Sequence, residues 1–91
     1  MEWDVVKVRV HGRVQGVGYR AWCREEAAVR GLNGWVRNES DGSVTVLIAG
    51  PTSTVAEMAR LLEHGPSAAR VTEVESAHHS GKVAQGFRIE L

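Results

Sequence analysis

The sequence predicts an α+β fold in which two helices pack on one face of an antiparallel sheet. Three observations support this. Two segments have the 3.6-residue apolar spacing of helices, several others alternate in the period-two manner of strands, and an Asp-Gly turn joins two of the strands. The order is strand, helix, strand, strand, helix, strand, with a short terminal strand. Right-handed crossovers then give a split βαβ sandwich, βαββαβ.

The first half of the chain contains a strand, a helix and a hairpin. Alternation predicts the strand over residues 3–11, and apolar spacing after a glycine-rich turn predicts the helix over 19–30, ended by Gly31. Two strands, 34–38 and 43–48, follow on either side of the Asp-Gly turn, so they must be antiparallel.

The second half adds a helix and two strands. Pro51 opens the helix, Thr54 and Glu57 have the spacing of a capping box, and Gly65 with Pro66 ends it. The helix carries apolar residues at i, i+3, i+4 and i+7, namely Val55, Met58, Ala59 and Leu62. A fourth strand is predicted over 71–76, and the last strand alternates through Phe87, Ile89 and Leu91.

The composition fits one small domain. The 91 residues are 43% hydrophobic and 24% charged, enough for a single two-layer core. Eleven Lys and Arg balance eleven Asp and Glu, which disfavours binding to nucleic acid or an acidic membrane through the overall field. We therefore expect a single domain over residues 1–91 with neither partner.

Cys23 is the only cysteine. A single cysteine excludes an internal disulfide and a multi-cysteine zinc cluster, and it favours a protein that works in a reducing environment. The acidic N-terminus shows no signal peptide, and the longest apolar run, 44–49, is too short for a membrane helix. We expect a soluble, cytoplasmic protein.

The glycine-rich turn after the first strand is the best candidate site. Where a strand runs through glycines into a helix, backbone N–H groups without intrahelical partners gather, and such groups bind anions. Gly12, Gly16 and Gly18 lack the Cβ atoms that would hold a phosphate away. Arg20, in the first helical turn, can donate two parallel hydrogen bonds to phosphate. The alternative is a plain strand-to-helix connection.

Other phosphate-binding motifs do not fit this turn. Residues 16–21 match G-x-G-x-x-A with Glu39 about 20 residues further on, but a hairpin cannot build the parallel sheet of a dinucleotide-binding domain. There is no Gly-Lys-Ser/Thr step of a P-loop. A cysteine phosphatase needs an arginine where Val29 stands, six positions after Cys23, so we interpret Cys23 as a packed helix residue.

Two longer segments carry more specific motifs. Residues 10–20 read VHGRVQGVGYR, and residues 34–44 read GWVRNESDGSV with Gly50 six positions later. They resemble the two signatures of the acylphosphatases, ferredoxin-like α/β sandwich enzymes that hydrolyse the carboxyl–phosphate bond. The resemblance covers almost the whole chain. Tyr19 departs from it, since phenylalanine or methionine is commoner there, and its hydroxyl is expected to matter little if the ring packs behind the loop.

The resemblance implies a role for each site residue. Arg20 holds the phosphate, and Asn38, on a strand expected beside the first one, positions the attacking water. The phosphate-binding cradle comprises Gln15, Gly16, Val17, Gly18, Tyr19 and Arg20. A side-chain amide suits the role of Asn38 because it can accept a hydrogen bond from water and donate another, whereas a carboxylate would repel phosphate. The alternative is an asparagine that only ends a strand before a turn.

The implied reaction needs no cofactor. An acyl phosphate has a good leaving group, so positioning and electrostatics suffice, and the substrate's own phosphate oxygen is the candidate base. The histidines are scattered, and no metal site is expected among them: His11, His64, His78 and His79. The expected substrate is a small acyl phosphate, and inorganic phosphate is expected as both product and competitive inhibitor. The protein itself is expected to be a monomer. The competing class, an RNA-binding module, lacks its aromatic motif, since only Trp35 lies on a suitable strand.

Overall fold

The computed structural model describes residues 2–91, which form two helices and a five-stranded sheet. The elements are β1 (Trp3–Arg13), α1 (Tyr19–Val29), β2 (Asn33–Asn38), β3 (Val44–Pro51), α2 (Thr52–Leu62), β4 (Arg70–His78) and β5 (Phe87–Ile89). Their order in the sheet is β4-β1-β3-β2-β5. This arrangement confirms the predicted α+β sandwich.

The sheet is mixed, not wholly antiparallel as predicted. β1 pairs antiparallel with β3 and β4, and β2 pairs antiparallel with β3, but β5 runs parallel to β2, with Gly34 opposite Phe87. The predicted neighbourhood of β1 and β2 was also wrong, because β3 lies between them. Helix α1 returns the chain to the starting end of the sheet, so β1 and β2 point the same way and the antiparallel β3 fits between them.

One apolar layer joins the helices to the sheet. All five strands contribute to it, with alternate residues in β1, β3 and β5, and each helix contributes residues at the predicted spacing. The members with at most 2% of their surface exposed are Val8, Val10, Val14, Tyr19, Cys23, Ala27, Leu32, Val36, Val44, Val46, Ile48, Val55, Met58 and Leu62. Burial of this layer is the main force that holds the β1–α1 connection against β2.

The helix ends differ from prediction at one point. Helix α1 follows Gly18 and ends before Gly31, as predicted, and both glycines have positive φ. The capping box predicted for α2 was wrong. The helix begins at Thr52, directly after Pro51, so Thr54 lies within the first turn and no side chain caps the helix.

Gly65 is expected to be far less tolerant of substitution than Gly31. Both follow a helix, with φ of 69° and 67°, so alanine at either costs about 1–2 kcal/mol of backbone strain. A Cβ at Gly65 would also lie 2.6 Å from Cε2 of Tyr19, whereas one at Gly31 meets nothing within 4 Å. Gly65→Ala should therefore lose about 1–3 kcal/mol more in free energy of unfolding, measured by urea denaturation. Equal losses would show that the Tyr19 ring yields freely.

Candidate active site

A cavity of about 300 Å³ opens between the β1–α1 connection and the end of β2. Arg20 enters it from the first turn of α1, and Asn38 enters it from the last residue of β2. The lining residues are Val14, Gly16, Gly18, Tyr19, Arg20, Ala21, Asn38 and Ile89. Arg20 and Asn38 are the two residues expected to carry the chemistry. They are 18 positions apart in sequence, and both line this cavity.

The loop of residues 14–18, the cradle loop, presents a run of free backbone N–H groups. Within residues 2–91, the N–H groups of residues 15–21 donate no hydrogen bond to another protein group, and the first bond of α1 runs from the Trp22 N–H to the Gly18 carbonyl at 3.0 Å. Gly16 and Gly18 have φ of 74° and 81°. Such backbone turns successive amides towards one point, which makes an anion-binding concavity.

Gly12 does not belong to this concavity. It lies in β1 at an irregularity in the pairing with β4, with φ of 123°. A Cβ there would come within 2.1 Å of the Arg70 carbonyl oxygen. Its lack of a side chain therefore permits close strand pairing, which is a different reason from the one the sequence suggested for it.

Arg20 keeps its guanidinium available to a ligand. Four other arginines pair with carboxylates, namely Arg9, Arg30, Arg37 and Arg88. No carboxylate in the described part of the chain pairs with Arg20. It therefore adds a full positive charge and a fork of five N–H donors to the free amides beside it.

Asn38 carries an unsatisfied polar atom at this cavity. Its Oδ1 is buried and has no hydrogen-bond partner. A buried polar oxygen without a partner is rare, and it costs free energy unless a water or another ligand pairs with it. Asn38 faces the helix side of the sheet, two residues beyond the buried Val36, so this oxygen lies on the same side as α1 and the cradle loop.

Comparison with known proteins identifies the family. A sequence profile described as Acylphosphatase matches residues 6–89. The chain belongs to the acylphosphatase family. An acylphosphatase of Rhizobium meliloti is 57% identical over 83 residues, which cover 90% of this chain and 87% of that protein. Acylphosphatases are enzymes, hydrolases that act on acid anhydrides.

Two solved acylphosphatase structures match the fold. The crystal structure from Bacillus subtilis has a TM-score of 0.92 and 32% identity, and the match covers 99% of this chain and all of that one. The structure from Coxiella burnetii also has a TM-score of 0.92, with 31% identity over 97% of this chain and 93% of that chain. The ferredoxin-like fold that the family resemblance implied is therefore confirmed.

Gln15 lies beside this cavity and is not among its lining residues. Its side-chain Nε2 donates hydrogen bonds to the carbonyl oxygens of Glu39, at 2.8 Å, and of Ser43, at 2.9 Å. Only its backbone N–H is left for an anion. Sequence reasoning missed this contact, because no local pattern links residues 24 and 28 positions apart.

Tyr19 contributes its backbone to the cavity and its ring to the core. The ring is buried against Trp22, with centroids 5.3 Å apart, and its hydroxyl donates to the Leu62 carbonyl oxygen at 2.6 Å. The ring packs behind the loop, and the hydroxyl has a structural partner that the sequence did not indicate, since it satisfies a carbonyl at the end of α2. Burial raises the pKa of the hydroxyl, and the nearby Cys23 adds to the rise.

Cys23 is expected to be chemically silent. Burial, helped by the charge of Glu26, raises the pKa of its thiol from 9.0 to about 12, so almost no thiolate forms at neutral pH. A disulfide reagent such as DTNB at pH 8 should leave the native thiol unmodified and release one equivalent after denaturation. Cys23→Ala should keep full turnover. Rapid native labelling or an inactive variant would contradict this interpretation.

The remaining candidates in the structure offer weaker sites. A second cavity, of about 340 Å³, lies on the helix-free face of the sheet, but its Arg37 already pairs with Glu39 at 2.9 Å and stacks on Trp35 at 4.5 Å. Residues 2–91 hold no group of three or more His, Cys, Asp or Glu placed to bind a metal ion. Neither described helix is long and apolar enough to cross a membrane.

Proposed function

We propose that the chain, acting as one domain, hydrolyses the carboxyl–phosphate bond of small acyl phosphates to give a carboxylate and inorganic phosphate. One observation carries this proposal. A single cavity is lined by residues with free backbone amides, by Arg20 with its unpaired guanidinium, and by Asn38, whose buried Oδ1 has no hydrogen-bond partner. This set combines donors for a phosphate with an acceptor for a water.

The cradle loop and Arg20 are proposed to bind the phosphate group. The amides of residues 15–20 donate to its oxygens, and the Arg20 guanidinium adds two charge-assisted hydrogen bonds. Because these donors are already in place in the folded chain, they need little reorganisation when charge builds up in the transition state. Inorganic phosphate offers the same oxygens, so the product should act as a competitive inhibitor.

Asn38 is proposed to orient the attacking water. Its Oδ1 accepts a hydrogen bond from a water that lies in line with the scissile bond. The water oxygen forms a new bond to phosphorus, the bond from phosphorus to the acyl oxygen breaks, and the carboxylate leaves with the electron pair. The water proton passes to a phosphate oxygen of the substrate. Alignment alone supplies a large part of the rate enhancement.

The proposal predicts saturable hydrolysis of benzoyl phosphate that survives EDTA. All the positive charge that it assigns to the site comes from N–H groups and Arg20, so removal of divalent ions should not change kcat. The assay follows the loss of benzoyl phosphate absorbance with and without EDTA, and with inorganic phosphate added as an inhibitor. Absence of hydrolysis would overturn the proposal. Loss of turnover in EDTA that Mg²⁺ restores would overturn its metal-free mechanism.

The alternative function, RNA binding, can be tested in the same experiments. The helix-free face of the sheet carries Trp35, whose ring Arg37 already covers, and Trp3, which lies at the very start of β1. Titration with single-stranded RNA should therefore leave the tryptophan fluorescence unchanged. The expectations of a monomer and of a cytoplasmic location stay predictions.

A further inference from the structure

One side chain joins the cradle loop to the turn that follows Asn38. The two N–H groups of Gln15 Nε2 bond the carbonyl oxygens of Glu39 and Ser43 at 2.8 and 2.9 Å. Glu39 follows Asn38 directly, and Ser43 directly precedes β3. In the part of the chain that the structure describes, these are the only hydrogen bonds between residues 14–18 and residues 38–43.

The same two bonds remove the Gln15 side chain from phosphate binding. A side-chain amide has two N–H donors, and both are used by the turn. What remains is the Oε1 acceptor, which would repel a phosphate dianion. The place of Gln15 in the family motif therefore does not require that its side chain touch the substrate.

The other side-chain hydrogen bonds of the turn run within the turn or to the strands and do not reach the cradle loop. Asp41 accepts hydrogen bonds from the Ser43 N–H and hydroxyl, at 2.9 and 2.6 Å, and Arg9 of β1 donates to the same hydroxyl at 3.0 Å. Glu39 accepts from Thr45 and from Arg37. All these partners belong to the turn or to the strands, and none belongs to residues 14–18.

We propose that Gln15 is a positioning residue that sets the separation between the bound phosphate and the Asn38 carboxamide. This inference rests on the proposed function. In the proposed mechanism the cradle loop holds phosphorus and Asn38, directly before the turn, orients the water. The Gln15 hydrogen bonds therefore tune the distance over which the new bond forms, within the packing that the apolar core sets. Misplacement of about 1 Å in such an arrangement can cost about 100-fold in rate.

Gln15→Leu tests this inference, because leucine keeps much of the side-chain bulk and loses both donors. We expect kcat for benzoyl phosphate to fall about 10- to 100-fold, while the Kd for inorganic phosphate, measured by calorimetry, stays unchanged. Gln85→Leu is the matched control, an exposed glutamine outside the cavity lining, and should keep kcat. Gln15→Asn, which keeps the amide but shortens its reach, should behave like Gln15→Leu and serves if the leucine variant does not fold.

A cycle with Asn38→Ala separates positioning from other roles. If Gln15 acts through Asn38, the double variant Gln15→Leu/Asn38→Ala should have nearly the same kcat as Asn38→Ala alone. Three results would each overturn the inference. They are an equally large fall in kcat when Gln15→Leu is added to Asn38→Ala, a tenfold higher Kd for phosphate in Gln15→Leu, and an unchanged kcat in Gln15→Leu. Side-chain amide NMR signals of Asn38 should shift in Gln15→Leu and not in Gln85→Leu. That readout needs no turnover, so failure of the positioning role is distinguishable from failure of the proposed function.

Discussion

Replacement of Arg20 with alanine is expected to abolish measurable hydrolysis of acyl phosphates and to weaken phosphate binding, while the fold is kept. The guanidinium is the one full positive charge in the cavity lining. Each of its two hydrogen bonds to a phosphate contributes about 1.5–3 kcal/mol, so kcat/KM should fall roughly 10²- to 10⁴-fold. The fold should survive because Arg20 makes no ion pair within residues 2–91.

Arg24→Ala provides the matched control for Arg20. Arg24 lies one turn later on the same helix, is exposed and does not line the cavity. Its replacement removes the same charge from the protein, so it corrects for long-range electrostatics. Steady-state kinetics with benzoyl phosphate, calorimetric titration with inorganic phosphate and circular dichroism complete the comparison. If phosphate binds Arg20→Ala as tightly as it binds Arg24→Ala, the cradle is assigned wrongly.

Replacement of Asn38 with alanine is expected to remove turnover and to leave phosphate binding unchanged. Its proposed partner is the water, which is absent from the complex with product phosphate alone. Loss of an oriented nucleophile should lower kcat by about 10²-fold or more. Because Oδ1 has no protein partner, its removal breaks no hydrogen bond at that atom, and the free energy of unfolding should not fall.

Asn38→Asp provides a comparison variant that should lose phosphate binding as well as turnover. The carboxylate is nearly isosteric but repels a phosphate dianion, so this variant should lose both turnover and phosphate binding. Ser40→Ala, in the exposed turn two residues away, should lose neither. Full activity in Asn38→Ala would exclude the proposed role of Asn38, and so would a phosphate Kd raised as much as in Asn38→Asp.

The elements of the fold were predictable because their residues repeat at short range. The alternation along β1 and the spacing along α2 appear in the sequence as they appear in the core, and the Asp-Gly turn pairs β2 with β3. The parallel pairing of β5 and the insertion of β3 between β1 and β2 depend on where whole elements pack. No local period carries that information.

The candidate site was predictable in its residue types but not in all its contacts. Glycines before a helix and an arginine in its first turn have a local physical meaning, so the cradle loop and Arg20 could be predicted. The contact of Gln15 with the turn and that of the Tyr19 hydroxyl with Leu62 join residues 24 to 43 positions apart. Only the packed sandwich shows them.

Phosphate binding at the cradle loop is tested by titration of the wild-type protein with inorganic phosphate, followed by two-dimensional ¹H–¹⁵N NMR. We expect saturable shifts, with one Kd, that are largest for the backbone N–H groups of residues 15–20 and for the Arg20 guanidinium. Shifts centred instead on the helix-free sheet face, around Lys7 and Arg9, or no saturable shift of the cradle loop, would contradict this expectation.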